Sequence, residues 1–374
     1  MKKLLLVVLL SVAALPHLSL AQQAYEEVQG FIKAEVVAIE DERVEDIAGT
    51  DATNVVQSVR AKLLEGENAG QEVVFDNDLV TLEAGDAIFI THMRTHDGFD
   101  LYLLKDVNRQ AELWALLVLF VALLLVFAGW QGARALICLG LSIAAIIFVL
   151  IPALLKGYDP VLASLCIAGV VLALALFGTH GINVSSTTAF VGTMSAVAIT
   201  SIIAWVFVGA MRLSGFGSEA SVYLNFATDG QLDLSGLLLG SIIIGVLGVL
   251  DDVSITQASV VAELKHANHS LGTYELYRRA IKVGRDHVGS LVNTLALAYV
   301  GAALPLVLLF ATSSAPLGFT LNQEVIASEL ARIIVGSIGL ILAVPLTTIC
   351  AAWWYGTHEV DDSVDLSHGH HHHH

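Results

Sequence analysis

The chain is written in two hydrophobic patterns, short alternating runs up to about residue 110 and long unbroken apolar runs after it. Between residues 22 and 110, apolar and polar positions alternate in Lys33-Ala-Glu-Val-Val-Ala-Ile39, in Gln57-Ser-Val-Arg-Ala-Lys-Leu-Leu64 and in Ala87-Ile-Phe-Ile-Thr91. Turn-forming clusters separate them, notably Glu65-Gly66-Glu67-Asn68-Ala69-Gly70 and Asp97-Gly98. A period of two is that of a half-buried strand, and about five hairpin-linked strands predict a small all-β, OB-like barrel.

The long runs are Leu113 to Trp130, Ala135 to Leu155, Val161 to Phe177, Thr188 to Met211, Leu237 to about Ala262, Val288 to Ala311, and Ile333 to Trp354. At about 1.5 Å per residue most can cross a hydrocarbon layer of about 30 Å, which predicts seven spans. The expected fold is therefore an α-helical polytopic membrane bundle of about seven transmembrane helices with a small N-terminal all-β, OB-like extracytoplasmic domain. Leu271 to His287 mixes polar and apolar positions and is read as an amphipathic helix on the inner membrane surface. A short helix is expected around Ala220 to Phe226, in an outer loop.

Composition agrees with a membrane protein. The 374 residues are 56% hydrophobic and only 14% charged, with a mean hydropathy of +0.74, too apolar for a chain surrounded by water. The net charge of -17 sits mainly in the N-terminal part, where Gln22 to Gln110 holds 19 acidic and 7 basic residues. That acidity excludes nucleic acid as a partner and, without an evident aromatic strip, points to a spacer or assembly module rather than an oligomer-binding barrel. Cys138, Cys166 and Cys350 lie within apolar runs at spacings that suit neither a disulfide nor a metal.

Targeting signals give the orientation. Met1-Lys2-Lys3, the apolar run Leu4 to Leu15 and Ser19-Leu20-Ala21 read as a secretory signal cut after Ala21, the alternative being an uncleaved anchor. Residues 22 to 110 are then exported. Residues 263 to 287 carry Lys265, Arg278, Arg279, Lys282 and Arg285, against Lys156 and Arg212 in the outer loops, so the positive-inside rule agrees with export. The expected plan is a signal at 1–21, an exported domain at 22–110, a membrane domain at 111–355 and a cytoplasmic tail at 356–374. It places the chain in a bacterial-type inner membrane. The tail histidines, His370 to His374, are read as an affinity tag.

Candidate chemistry centres on the fifth run. Ser241, Gly245, Gly248, Asp252, Thr256, Ser259 and Glu263 follow one another at spacings of three and four, which puts them on one helical face, small or polar throughout. Small residues admit a neighbouring helix, so Asp252 is expected to point into the bundle, with Asp251 about 100° away. Two adjacent acids in hydrocarbon can take up and release a proton or coordinate a cation. The other reading ends the span near Leu250 and leaves both acids solvated; against it, Leu237 to Leu250 is only about 21 Å long. Ser290, Asn293 and Thr294 on the sixth run are candidate neighbours of the acids. On the seventh, Glu329 can pair with Arg332, which is read as snorkelling to the outer interface. The loop Gly178 to Thr187 is polar, with His180 as its one ionisable group. No nucleotide-binding loop, catalytic triad or zinc signature occurs, which excludes an ATP-driven pump and a hydrolase of those types.

The strings Gly245-Val-Leu-Gly-Val-Leu-Asp-Asp-Val-Ser-Ile-Thr-Gln-Ala-Ser-Val-Val-Ala-Glu263 and Gly284-Arg-Asp-His-Val-Gly-Ser-Leu-Val-Asn-Thr-Leu-Ala-Leu-Ala-Tyr-Val-Gly-Ala302 resemble the YibE/F-like membrane protein family. The resemblance implies a multipass membrane protein, and it speaks to the architecture more than to the mechanism. An Asp-Asp pair on an outward-to-inward span, followed by a basic segment and a Ser/Thr-containing span, also resembles the proton-relay region of RND and SecDF transporters. In those families the acids carry protons that drive export; the large exported porter domains of those families are missing here.

The expected function is that of a secondary transporter or exporter of a small ion or solute, proton- or cation-coupled, and not an enzyme. Its ion or proton site comprises Asp251, Asp252, Thr256, Ser259 and Glu263, with Ser290, Asn293 and Thr294 beside it. No cofactor is expected, and a metal is left open. The expected partners are the lipid bilayer and the small ion or solute, with a homo-oligomer left open. The competing class is a membrane scaffold whose exported domain binds a protein partner.

Overall fold

The computed structural model describes residues 29–46, 53–66, 68–94 and 100–358. The expected signal at 1–21 and the histidine tail lie outside the described residues. The chain divides into two compact units, Met1–Val126 and Phe127–His374.

The first unit holds five strands, β1 (Gln29–Asp46), β2 (Thr53–Leu63), β3 (Glu72–Asn77), β4 (Ala87–Arg94) and β5 (Asp100–Val107). They form one antiparallel sheet in the order β3-β2-β1-β4-β5. The three alternating segments singled out in the sequence fall on β1, β2 and β4. On β2, Val59, Ala61 and Leu63 are buried while Arg60 and Lys62 face out, as a period of two requires. The long β1 serves both halves of the sheet, pairing with β4 through its first part and with β2 through its second, and register shifts after Val36 and Ile39 bend it between the two. Gln57 is buried but satisfied, since its Oε1 accepts from the Leu82 N–H at 2.8 Å.

The helices are α1 (Gln110–Leu155), α2 (Pro160–Gly178), α3 (Val184–Ala210), α4 (Glu219–Ala227), α5 (Leu234–Ala267), α6 (Thr273–Ala302), α7 (Leu304–Ala311), α8 (Leu317–Asn322) and α9 (Glu324–Thr357). Five of them, α1, α2, α3, α5 and α9, are long and apolar enough to cross a membrane, and α6 with α7 makes a sixth if the bent pair is one span. The expected count of seven is therefore not reached by length and composition. Two of the expected spans, Leu113 to Trp130 and Ala135 to Leu155, run together in α1, which is broken at Gly129 (φ 55°, ψ -135°). The run from Val288 breaks between α6 and α7 with a bend of 70°. Pro305 in the first turn of α7 lacks the N–H that would bond the Gly301 carbonyl, so the Ala303 N–H, which bonds the Tyr299 carbonyl at 2.9 Å, closes α6.

Close approaches at glycine fix how these helices run. Along α3 and α9, Gly192 lies against Thr347, Thr200 against Gly339, and Ser185 bonds Tyr355 at 2.9 Å, an antiparallel register. Leu295 meets Gly336 and Gly284 meets Val344, so α6 is antiparallel to α9. Helix α5 runs parallel to α9, with Val246 on Gly339 and Gln257 on Thr348, and parallel to α2, with Gly240 on Ser164. Helix α5 touches α2, α3, α6 and α9 and is the centre of the bundle.

Leu271 to His287 does not form a separate surface helix. From Thr273 it is the first half of the continuous α6, whose Leu276, Ala280 and Gly284 are buried. Residues four apart share a helical face, and here protein rather than lipid covers it. The outer helix expected near Ala220 is α4, capped by the Ser218 side chain.

Candidate functional site

Helix α5 starts at Leu234, three residues earlier than the hydropathy pattern suggests, because the Asp233 side chain caps it by accepting from the Gly236 N–H at 2.9 Å. Its buried face carries Ile242, Ile243, Val246, Leu250, Gln257, Ala258 and Val261. Asp252, Thr256, Ser259 and Glu263 are exposed, and Asp251 is half-buried. The expectation of an interior Asp252 is thus corrected. Lipid and protein interior are equally apolar, so the branched aliphatic face could go to either, and the bundle has taken it. The small-residue stripe meets its neighbours only toward its N-terminal end. There a Cβ at Gly245 would stand 2.8 Å from the Tyr299 hydroxyl, while Gly248 faces open space.

The proposed neighbours do not join the acids. Ser290, Asn293 and Thr294 are exposed on α6, and Thr294 donates to the Ser290 carbonyl at 3.0 Å. Among the described residues no hydrogen bond or ion pair links any of the three to Asp251 or Asp252, and the Asp251 carboxylate accepts instead from the Asp252 N–H at 2.9 Å.

Two residues that sequence reasoning did not connect with the acids do come near. Arg134 on α1 donates through Nε and Nη2 to the Gly178 carbonyl at 3.1 and 2.8 Å, tying it to the end of α2. His180 follows two residues beyond Gly178, as the last helical residue before the Gly181 turn. Burial holds its imidazole below the usual histidine range, the Arg134 charge lowers it further, and the Asp252 carboxylate acts in the opposite direction. The register of α2 on α5 agrees: Ser164 lies against Gly240, and twelve residues further along each helix Leu176 comes level with Asp252. The sequence marked His180 as the ionisable group of its loop, but nothing local connects it to a carboxylate 72 positions away.

A direct check follows. Asp252→Asn is expected to lower the His180 titration further and Arg134→Gln to raise it, both read by NMR of labelled histidine. An unchanged His180 midpoint in Asp252→Asn would show that the two groups are not coupled.

Two further polar positions hold the bundle. Gln257 is buried and donates through Nε2 to the Ala280 carbonyl at 3.0 Å and to the Thr348 hydroxyl at 2.8 Å, joining α5, α6 and α9. On α9, Arg332 Nη1 lies 3.2 Å from Glu329, and its Nη2 donates to the Ser241 hydroxyl at 3.3 Å. Arg332 therefore reaches sideways to α5 rather than snorkelling freely. Among the described residues no group of three or more His, Cys, Asp or Glu side chains is placed to hold a metal ion.

Residues 116–357 match the family described as YibE/F-like protein, which is more than half of the 374-residue chain. The chain belongs to the YibE/F-like family. The matched region contains the acids, Arg134, His180 and Arg332, whereas the β-sheet lies ahead of it. No curated protein and no solved structure matches the chain. The YibE/F-like description names no substrate and no reaction, so a functional reading rests on the geometry.

Proposed function

We propose that the chain is a secondary transporter or exporter of a small ion or solute, coupled to protons or a cation through Asp251 and Asp252. The observation that carries this is an acidic pair on the central helix of an apolar bundle, one acid half-buried and the other within electrostatic reach of His180. A carboxylate beside an imidazole at the end of a bundle can exchange protons with the adjoining water, and a paired acid can hold a cation there.

The helix lengths move the site. From Leu234 to Asp251 is about 26 Å at about 1.5 Å per residue, nearly one hydrocarbon thickness of about 30 Å. In this reading the acids stand at the inner mouth of the pathway, not at its middle. The rest of α5 and the charged half of α6 extend into the cytoplasm, and the sheet domain lies outside in a bacterial-type inner membrane. The positive-inside balance supports that orientation.

The seven-span count belongs to the same proposal. The 46 residues of α1 would make about 69 Å of helix, more than twice a crossing, and the Gly129 backbone that breaks it is one that glycine adopts without strain. Dividing α1 there and treating α6–α7 as one broken span gives seven crossings. The OB-like reading draws support from β1 pairing on both sides and from the approach of β3 to β5 within 8 Å.

In proteoliposomes, Asp252→Asn is expected to abolish ion-dependent flux while leaving thermal unfolding unchanged. Undiminished flux in that variant would remove the acid from the mechanism. No flux for any ion, with a protein partner retained on the sheet domain, would favour the scaffold class.

A further inference from the structure

Asp252 stands near the end of one span, and another charged group stands at the start of one, just ahead of the apolar run that begins at Ile333. Arg332 is eight residues into α9 from Glu324, about 12 Å along the helix, and Ser241 is seven residues into α5, about 10 Å along. Tyr299 reaches them from the last turn of α6, just before the 70° break into α7, and lies within reach of the Arg332 charge. Three helices thus bring an arginine, a serine and a tyrosine together in the outer half of the bundle. A guanidinium held half-buried between helices at the edge of a span is a candidate site unless its partners fully account for it.

The partners of Arg332 account for it poorly. A guanidinium has five N–H donors in a planar fork. Its contact with Glu329 is 3.2 Å and its bond to Ser241 is 3.3 Å, both longer than the roughly 2.7–2.9 Å usual for charge-assisted bonds. Nε is buried and has no partner. Ser241 gives its own proton to the Leu238 carbonyl at 2.7 Å, so it offers Arg332 only a lone pair. The Nε–Nη2 edge is the one that takes two oxygens of a carboxylate or oxyanion side by side, and it is the edge left loosely held. Gly245 matters here, because a side chain at that position would collide with the Tyr299 hydroxyl.

We infer that Arg332, with Ser241 and Tyr299, binds a small anion bearing two adjacent oxygens, a carboxylate or an oxyanion, reached from the outer side. Glu329 is the internal competitor for the guanidinium. The ligand displaces the long Ser241 contact, takes the Nε–Nη2 fork and receives a further hydrogen bond from Tyr299. The site deepens the transport reading by naming a substrate class and rests on it for that use, but binding itself does not require transport.

Isothermal titration of the purified full chain with inorganic phosphate, sulfate and acetate tests the site. At least one anion should bind saturably. Glu329→Gln, which removes the competitor and its negative charge, should tighten binding by about tenfold or more. Arg332→Lys keeps the charge but loses the fork and should weaken it by about tenfold. The double variant Glu329→Gln/Arg332→Gln leaves no uncompensated charge, so it should fold and bind none of the three. Saturable binding of an anion that shows no flux in proteoliposomes would keep the site and overturn the transport reading, which separates the two. No saturable binding in either the natural chain or Glu329→Gln would overturn the site, as would binding that Arg332→Lys leaves unchanged.

Discussion

Replacing Gly192 by leucine is expected to leave little folded protein, and replacing it by alanine to cost about 1–3 kcal/mol. A Cβ at Gly192 would stand 2.5 Å from the Thr347 Cα and 2.9 Å from its Cβ, besides meeting its hydroxyl. The hydroxyl could rotate away but the Cα is backbone, so no rotamer change on α9 relieves the clash, and α3 and α9 must separate. Alanine gains about 1 kcal/mol in helix propensity over glycine, which offsets only part of that cost. Gly140 on α1 provides the control, because nothing lies within 4 Å of the corresponding position there. Gly140→Ala should be neutral or slightly stabilising. Thermal unfolding in detergent and the yield of monodisperse protein measure both. If Gly192→Leu unfolded at the temperature of the natural chain, the close α3–α9 register would be wrong.

That contact was invisible in the sequence, although much of the architecture was legible. Strand alternation works because one side of a sheet must be apolar and the other not, so Val59, Ala61 and Leu63 declare their face. Long apolar runs declare themselves as helices because hydrocarbon requires internal backbone bonding. What hydropathy cannot declare is which side of such a helix meets protein. On α5 the small-residue stripe has the look of a packing face, yet the bundle buries Ile243, Val246 and Leu250 and leaves Asp252 exposed. The same limit hid the residues nearest the acids. Arg134 and His180 reach the level of Asp252 through the pairing of α2 with α5, and no local pattern near the acids encodes that pairing. Gln257 was passed over for the same reason. A single amide between Thr256 and Ala258 has no periodic signature, and only its partners on α6 and α9 reveal it. The break before α7 was passed over as well, although Pro305 lacks the N–H that would continue α6.

Lys265→Ala is expected to cost about 2–4 kcal/mol and to open the turn between α5 and α6. By charge pattern alone Lys265 is one more cation of the basic inner segment, a group that should be solvated and dispensable. In the structure it is only 7% exposed, and its Nζ donates to the His269 carbonyl at 2.9 Å and the Leu271 carbonyl at 3.0 Å. Burying an ammonium is costly, so its bonds to those carbonyls must offset much of that cost. They also fix where the chain turns, because Leu271 is itself buried and α6 begins two residues later at Thr273. Alanine removes both the stem and the charge, whereas Lys265→Met keeps most of the buried stem and removes only the ammonium. Met should therefore recover the packing share of the loss and leave the turn loosened, with faster protease cleavage across residues 268–272 than in the natural chain. A Met variant as resistant and as stable as the natural chain would mean that packing, not the ammonium, holds the turn. The effect should persist at high salt, because a buried charge bonded to carbonyls is screened far less than an exposed pair such as Glu275 with Arg279.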